Sequence, residues 1–459
     1  MAPKRYFKSI NPYSLDSLGE YPEIQANELS ETIDNADRAF NEWKNTPISK
    51  KIDLLLRLEN VLLSNKIPYS TLITEEMGKV FNESQAEIEK CAWLCRYYAE
   101  NAEKFLQIRR VQTEASLSYV SYQPMGIILG IMPWNFPFWQ VMRFAVPCIM
   151  AGNTAMVKHA SNVQGCARSI AFAFEQAGFP KYIYNNIPLS STHIKSLITD
   201  RRIKGVSLTG SEKAGRSVAE LAGASLKKTV LELGGSDPFL ILKDADIGLA
   251  ADICLKSRMI NAGQSCIGAK RIIVDKRVYT DFVEQTKKNI QKVKHGNPMD
   301  DDTNIGPLAR NDIRTILHQQ ITESLASGTL CMHGGYIPDG KAFFYPPTML
   351  VNIYKSSPAY TEELFGPVLS ILIAEDEFDA IRLANDVNFG LGAAVFSKDI
   401  DKAKHIAERE LNAGIVFINE LVKSDPRMPF GGINESGYGR ELGEYGLKEF
   451  VNIKSVWIA

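Results

Sequence analysis

Apolar residues in the first quarter of the chain recur at helical spacing. Within Ile48–Lys66, positions Ile52, Leu55, Leu56 and Leu62 share one side of a helix. Glu83–Phe105 sorts its aromatic and charged residues by face in the same way, so residues 26–107 read as helices. The period then changes. Across Ser116–Gln123, Leu117, Tyr119 and Ser121 alternate with Ser118, Val120 and Tyr122, which predicts a strand-like arm. From Gly126 onward strands and helices take turns. Strands are expected at Ile127–Met132, Thr154–Lys158, Tyr182–Ile187 and Gly205–Thr209, with helices at Pro137–Ala151, Gln164–Ala177, Thr192–Thr199 and Glu212–Leu221. Parallel strands need crossover helices, so this alternation implies an α/β fold with a doubly wound parallel sheet. Ligands in such sheets sit beyond the carboxyl ends of the strands. A second mixed block runs from Gly235 to Met428, with strands at Arg271–Asp275, Leu369–Ile373 and Gly414–Asn419. An alternating strand, Phe450–Ile458, closes the chain.

The chain has 459 residues, too many for one ordinary core, so two or three domains are expected. With 52 basic against 53 acidic residues, no basic excess points to nucleic acid or an anionic membrane; a small molecule is the expected partner. Met125–Gly152 is the most hydrophobic stretch, but Pro133, Asn135, Pro137, Arg143 and Pro147 interrupt it, unlike a membrane span. The N-terminal residues lack the apolar core of a signal peptide, so a cytoplasmic protein is expected. Seven cysteines, odd in number and irregularly spaced, do not form a disulfide framework. Cys91 and Cys95 read as two packed thiols, and the scattered histidines give no metal site.

Several short segments carry candidate chemistry. Asn261-Ala262-Gly263-Gln264-Ser265-Cys266 puts a cysteine behind a Gly-Gln turn; by itself such a cysteine is more often inert packing than a nucleophile. Leu231-Glu232-Leu233-Gly234-Gly235 sets a carboxyl at an apolar strand end. Desolvation there raises its pKa toward the range of a general base, although a structural glutamate is an equal reading. In Pro133-Trp134-Asn135-Phe136-Pro137, the Asn135 amide can donate to an oxyanion or simply cap a helix. Gly210-Ser211 follows a strand and opens a helix, which suits a phosphate, and Lys158 adds positive charge on the same sheet edge. Glu362-Glu363-Leu364-Phe365-Gly366-Pro367 joins a carboxylate suited to ribose hydroxyls with an aromatic face suited to a nicotinamide.

Taken together, Pro-Trp-Asn at 133–135, Leu-Glu-Leu-Gly-Gly at 231–235, Gly-Gln-Ser-Cys at 263–266, Glu-Glu-Leu-Phe-Gly-Pro at 362–367 and Pro-Phe-Gly-Gly at 429–432 resemble the aldehyde dehydrogenase superfamily, in its order and over essentially the whole chain. The resemblance implies a nucleophile at Cys266, a general base at Glu232 and an oxyanion-hole amide at Asn135. It implies NADP or NAD contacts at Trp134, Lys158, Ser161, Gly210, Ser211, Leu233, Glu363 and Phe365. It also implies a cofactor-binding domain (1–107 and 126–234), a catalytic domain (235–434) and a β oligomerisation arm (108–125 and 435–459), in a homodimer or homotetramer.

Arg143, eight residues past Asn135, matches an arginine that the succinate-semialdehyde dehydrogenase branch uses for the substrate carboxylate; an internal salt bridge is the alternative. Ser424 is expected to assist it. Two departures stand out. A second arginine found in some of those enzymes is Ile260 here, and the second cysteine of a redox switch is Gly268. NAD-specific relatives often carry glutamate where Ser161 stands. Serine removes the repulsion of a 2′-phosphate, so NADP is expected to be accepted. The implied reaction is oxidation of a small aldehyde, succinate semialdehyde first, through a thioester. Another small aldehyde and a non-catalytic protein on the same scaffold are the rival readings.

Overall fold

The structure, a computed structural model, describes residues 5–459. Two large sheets organise it. The first has six strands in the order Gly437–Tyr438, Lys228–Glu232, Ile203–Thr209, Ile127–Ile131, Thr154–Lys158, Tyr184–Asn186, all parallel except the first. From Ile127–Ile131 the chain winds outward through Thr154–Lys158 and Tyr184–Asn186. It then returns to lay Ile203–Thr209 against the opposite side of Ile127–Ile131. The winding therefore reverses between those two strands, where a parallel sheet leaves a crevice at its carboxyl edge.

The strands are buried on both faces, so successive side chains enter different cores. Ile127, Leu129 and Met156 join Ile203, Val206 and Leu208 under the flanking helices, with Ile33 and Val218. Ile128, Ala155 and Val157 face the other way, into a core shared with Phe144, Ile170 and Leu58. The second sheet has seven strands in the order Leu330–His333, Thr348–Val351, Val368–Ala374, Arg271–Asp275, Pro238–Ile241, Gly392–Phe396, Ile415–Ile418, parallel but for the first pair. Phe239 and Ile241 point to one of its faces and Leu240 to the other.

The expected helices appear as Ala26–Trp43, Ile48–Ser64, Lys66–Met77 and Phe81–Leu106. The helix expected from Pro137 begins at Trp139, where the Glu87 carboxylate accepts the backbone N–H groups of Phe138 and Trp139, each at 2.9 Å. The strand expected at Tyr182–Ile187 shrinks to Tyr184–Asn186, because Tyr182 takes a left-handed conformation (φ 69°) that leaves the sheet. An N-terminal hairpin, Tyr6–Ile10 with Ser17–Pro22, was not anticipated.

The alternating segments Leu117–Pro124 and Val451–Ile458 pair antiparallel along their whole length, with Arg109–Arg110 on the far side. The rest of 435–459 lies elsewhere: Gly437–Tyr438 bonds to the edge of the six-stranded sheet, and Gly443 at the start of the next helix accepts the buried Tyr98 hydroxyl at 3.0 Å. Among the described residues no helix is long and apolar enough to cross a membrane, and no three His, Cys, Asp or Glu side chains cluster as a metal would need.

Candidate active site

After the Ile247–Met259 helix, the chain makes three left-handed residues in a row: Asn261 (φ 55°), Ala262 (φ 51°) and Gly263 (φ 73°). Ala262 has no side-chain hydrogen bond to offset this, and such a conformation costs a non-glycine residue roughly 1–2 kcal/mol. Gly263 is required: a Cβ there would stand 2.1 Å from the Gly366 carbonyl oxygen.

The turn is held from outside. Glu83 accepts the Asn261 N–H at 2.8 Å, the Asn261 amide donates to the Asn135 carbonyl at 2.7 Å, and Gln264 Oε1 accepts from Ala309 N–H at 2.9 Å. Burial raises the Glu83 carboxyl to about 7, even though it accepts from Asn261. The strained turn delivers Cys266 two residues beyond Gln264.

Cys266 stands where two cavities meet. One, of about 340 Å³, is lined by Glu83, Glu87 and Lys90 from one helix, by Phe136, Trp139, Gln140 and Arg143 around the next, and by Ile260, Ser424 and Phe430. Its lining positions 83, 86, 87, 90 and 136, 139, 140, 143 both follow the one-face spacing of a helix. The other cavity, of about 270 Å³, is lined by Trp134, Asn135, Thr209, Gly210, Ser211, Leu233, Gly234, Glu363 and Phe365. Gln140 and Cys266 border both. The thiol is pushed up to about 12, by burial first, with Lys270 and Arg143 pulling the other way.

Asn135 shares the second cavity with Cys266. Its Nδ2 donates to the Gln264 carbonyl at 3.0 Å. An amide nitrogen carries two hydrogens, so one remains for a ligand. Glu232 ends the Lys228–Glu232 strand, and its buried carboxylate oxygens have no hydrogen-bond partner. Its pKa is raised well above the usual range, by burial first, with Arg143 opposing and Glu441 adding to the rise. Glu232 lies behind the Phe430–Gly431 backbone, where a Cβ on Gly431 would be 2.8 Å from its Oε1, and it lines neither cavity.

Arg143 has an internal partner: its Nε forms a buried ion pair with Glu441, under the Phe430 ring. Its Nη2 has no hydrogen-bond partner, and the residue still lines the larger cavity. Ser424 lines the same cavity and accepts from Lys90 Nζ (2.8 Å) and Trp139 Nε1 (3.0 Å). Ile260 lines it too. Gly268 sits against Arg258 and supplies no thiol.

The second cavity lies at the crevice where the sheet winding reverses. Ser211 caps the Glu212–Ala224 helix, accepting from Ala214 N–H at 3.4 Å, so that helix opens at the carboxyl end of Ile203–Thr209. The buried Thr209 hydroxyl lacks a partner. Glu363 reaches in from the loop before Val368–Ala374 of the seven-stranded sheet, accepting from Gly235 N–H at 3.3 Å and paired with Lys270 at 2.8 Å. Trp134 and Phe365 meet edge to face with ring centroids 5.8 Å apart. Lys158 and Ser161 do not line this cavity; they stand at the carboxyl end of Thr154–Lys158, beyond the intervening Ile127–Ile131 strand. Burial alone lowers the Lys158 ammonium, so no carboxylate neutralises it, and Ser161 is exposed. A dinucleotide fits the donors of this cavity: a helix N-terminus with an unpartnered hydroxyl suits phosphate, and a carboxylate suits ribose hydroxyls.

Sequence reasoning missed Glu83, Lys90, Trp139, Lys270 and Phe430. The first two had a signal, charged residues on the buried stripe of an amphipathic helix. Lys270 joins the two halves of the site: it donates to the Cys266 carbonyl at 2.5 Å while paired with Glu363.

Comparison with known proteins agrees with this geometry. The model of the aldehyde dehydrogenase family matches residues 1–456. The chain is 44% identical over 451 residues to a probable succinate-semialdehyde dehydrogenase [NADP(+)] of Synechocystis sp., covering 98% of this chain and 99% of that one. It is 42% identical to the succinate semialdehyde dehydrogenase [NAD(P)+] of Escherichia coli, over 100% of this chain and 99% of the other. The crystal structure of succinic semialdehyde dehydrogenase from Streptococcus pyogenes in complex with NADP+ superposes with a TM-score of 0.96 at 37% identity, covering 98% and 99% of the two chains. With its two α/β sheets, its cysteine at the junction of two cavities and this full-length match, the chain belongs to the aldehyde dehydrogenase family.

Proposed function

We propose that the chain oxidises succinate semialdehyde to succinate, with NADP or NAD as oxidant. The observation that carries this reading is the position of Cys266, between a cleft with dinucleotide-binding donors and a cavity lined by Lys90, Arg143 and Ser424. An aldehyde bearing a carboxylate suits that second cavity: its anionic end meets cations while its apolar stem lies against Phe136, Trp139 and Phe430.

Cys266 gives up its proton to solvent and, as thiolate, attacks the aldehyde carbon. A carbon–sulfur bond forms, and the carbonyl electron pair moves onto oxygen. The free Nδ2 hydrogen of Asn135 and the Cys266 backbone N–H hold that oxyanion. When bound, the dinucleotide supplies the hydride acceptor that turns the thiohemiacetal into a thioester. Glu232 then takes a proton from the water that cleaves the thioester, releasing the acid and the Cys266 thiol. Burial makes Glu232 basic enough for this, and its oxygens carry no hydrogen bond that must break when the side chain moves out from behind Phe430–Gly431 toward the thioester. Lys158 and Ser161 accommodate a 2′-phosphate, which supports NADP as an acceptor.

The protein functions in the cytoplasm as a homodimer or homotetramer. In support, Ile453, Trp457 and Ile458 leave large apolar surfaces exposed on the edge strand of the three-stranded sheet, and all seven cysteines are free thiols.

Steady-state rates with succinate semialdehyde, glutarate semialdehyde and hexanal, each with NADP and NAD, test the reading. Succinate semialdehyde should lead in kcat/KM by tenfold or more. Equal rates with hexanal would leave an aldehyde dehydrogenase of another substrate.

A further inference from the structure

The ammonium of Lys90 faces the larger cavity without a carboxylate partner. Among the described residues its one side-chain hydrogen bond is to Ser424 Oγ, and its Nζ lies 4.2 Å from the Trp139 ring centroid. The acids nearest to it are engaged elsewhere: Glu87 is ion-paired with Lys79 and caps the following helix, and Asp425 is held by Arg427 at 2.7 Å. A cation drawn out of water without a counter-ion is costly, so such a group is normally retained where an anion completes it.

Ser424 points to the same conclusion. Its oxygen already accepts from Lys90 and from Trp139, so its own hydrogen is left to donate. Arg143, one turn beyond Trp139 on the neighbouring helix, offers the unpartnered Nη2. Lys90, Ser424 and Arg143 therefore converge on the cavity that Cys266 borders, whereas the other two lysines of its lining, Lys256 and Lys423, are exposed to solvent and Lys423 is paired with Glu420.

We propose that Lys90, acting with the Ser424 hydroxyl it holds, binds the substrate's carboxylate directly and sets the preference for ω-carboxylated aldehydes over uncharged aldehydes of the same length. This rests on the reading of that cavity as the aldehyde site. Lys90 stands seven residues beyond Glu83 on its helix, about 10 Å along the axis, and Glu83 abuts the turn that carries Cys266. Lysine side chains lean toward the helix N-terminus, so the ammonium reaches back toward the thiol and leaves room for a short carbon chain between the two.

Lys90 also makes recognition dependent on pH. Burial first, and then the Arg143 charge, lower its ammonium to about 8, while Cys91 and Glu87 on its own helix and Asp425 on the facing loop pull the other way. The cation is therefore present below about 8 and lost as pH rises through that value.

The test compares succinate semialdehyde with butanal in wild type, Lys90→Met and Lys90→Arg. The ratio of the two kcat/KM values is read within one preparation, so a smaller folded fraction cancels. Lys90→Met should lower the ratio by about 10- to 100-fold, as loss of a charge-assisted hydrogen bond does, mainly through KM for the acid aldehyde. Lys90→Arg should recover most of it. In wild type, KM for succinate semialdehyde should climb above pH 8 while that for butanal stays level, and the climb should be missing from Lys90→Arg. If wild type favours the acid aldehyde and Lys90→Met retains that preference, Lys90 is structural and this proposal fails while the proposed function stands. If wild type shows no preference over butanal, both fail together.

Discussion

Replacing Glu232 by glutamine separates the two half-reactions. The carboxyl is buried, both its oxygens lack partners, and burial holds its pKa well above the usual carboxylate range. Glutamine keeps the shape and removes the base. A positioned general base contributes about 10²–10⁴ in rate, equivalent to about 2.7–5.4 kcal/mol at 1.36 kcal/mol per factor of ten. The loss should fall on hydrolysis of the thioester alone. Stopped-flow absorbance at the reduced nicotinamide band should then show a burst of one equivalent per active site, followed by a steady state about 10²–10⁴ slower than wild type. Mass spectrometry of the quenched enzyme should find an acyl group on the peptide carrying Cys266. Folding should not suffer, because a neutral amide costs less to bury than a carboxylate. In wild type the base form exists only above the raised pKa, so the deacylation rate should rise as pH climbs through it, and Glu232→Gln should flatten that rise. A variant with no burst and a steady state within about threefold of wild type would refute the assignment. Glu83, which lines the Cys266 cavity and has its carboxyl raised to about 7, would then be the base to examine.

Other substitutions probe the remaining parts. Asn135→Ala removes one oxyanion donor and should lower kcat by about 10²–10³; a loss below fivefold in a steady-state assay would mean that the amide serves only the Gln264 carbonyl it already meets. Ser161→Glu sets a carboxylate beside the Lys158 end of the sheet, and the NADP-to-NAD ratio of kcat/KM should fall by about 10- to 100-fold, a like-charge penalty reduced by solvent screening at this exposed position; an unchanged ratio would place the 2′-phosphate elsewhere. Arg143→Met leaves Glu441 buried without its ion pair and should cost about 3–5 kcal/mol of stability in denaturant titrations. Adding Glu441→Gln to that variant should restore much of the loss; additive losses would show that the pair contributes nothing as a pair.

The parts of the fold legible in the sequence are those with one dominant period. The Phe81–Leu106 helix shows its stripe because one face meets the core and the other meets water. Gly392–Phe396 (Gly-Ala-Ala-Val-Phe) and Pro238–Ile241 carry no alternation because the sheet is covered on both sides, so nothing in their period marks them as strands. The N-terminal hairpin hides for another reason. In Tyr6–Ile10 the buried positions are Phe7 and Ser9, while Ile10 is exposed. Ser9 is tolerated in the interior because its one hydroxyl hydrogen goes to the Glu76 carboxylate at 2.5 Å, with the Asn162 carbonyl 3.2 Å away to share it. Its hydrophilic character misleads a pattern that looks only at polarity.

The site divides along the same physical line. Asn135, Glu232 and Cys266 were legible as candidates because each follows a local signal, a strand end, a turn or a glycine that a close approach demands, while the role of each came from the family resemblance alone. What aligns them was not legible. The Asn261 N–H is received by Glu83, 178 positions away, and the Asn261 side chain reaches Asn135 across 126. No local window holds both ends of such a bond. Arg143 shows the same limit. The sequence could say that an arginine in an apolar helix needs a partner, but naming Glu441, 298 residues on, took the structure. A charged residue on the buried face of a helix is thus a legible question with a non-local answer. Lys90 is the case where that answer does not lie within the described residues: the chain supplies a serine and an aromatic ring but no counter-charge, and the cavity beside it opens onto the nucleophile.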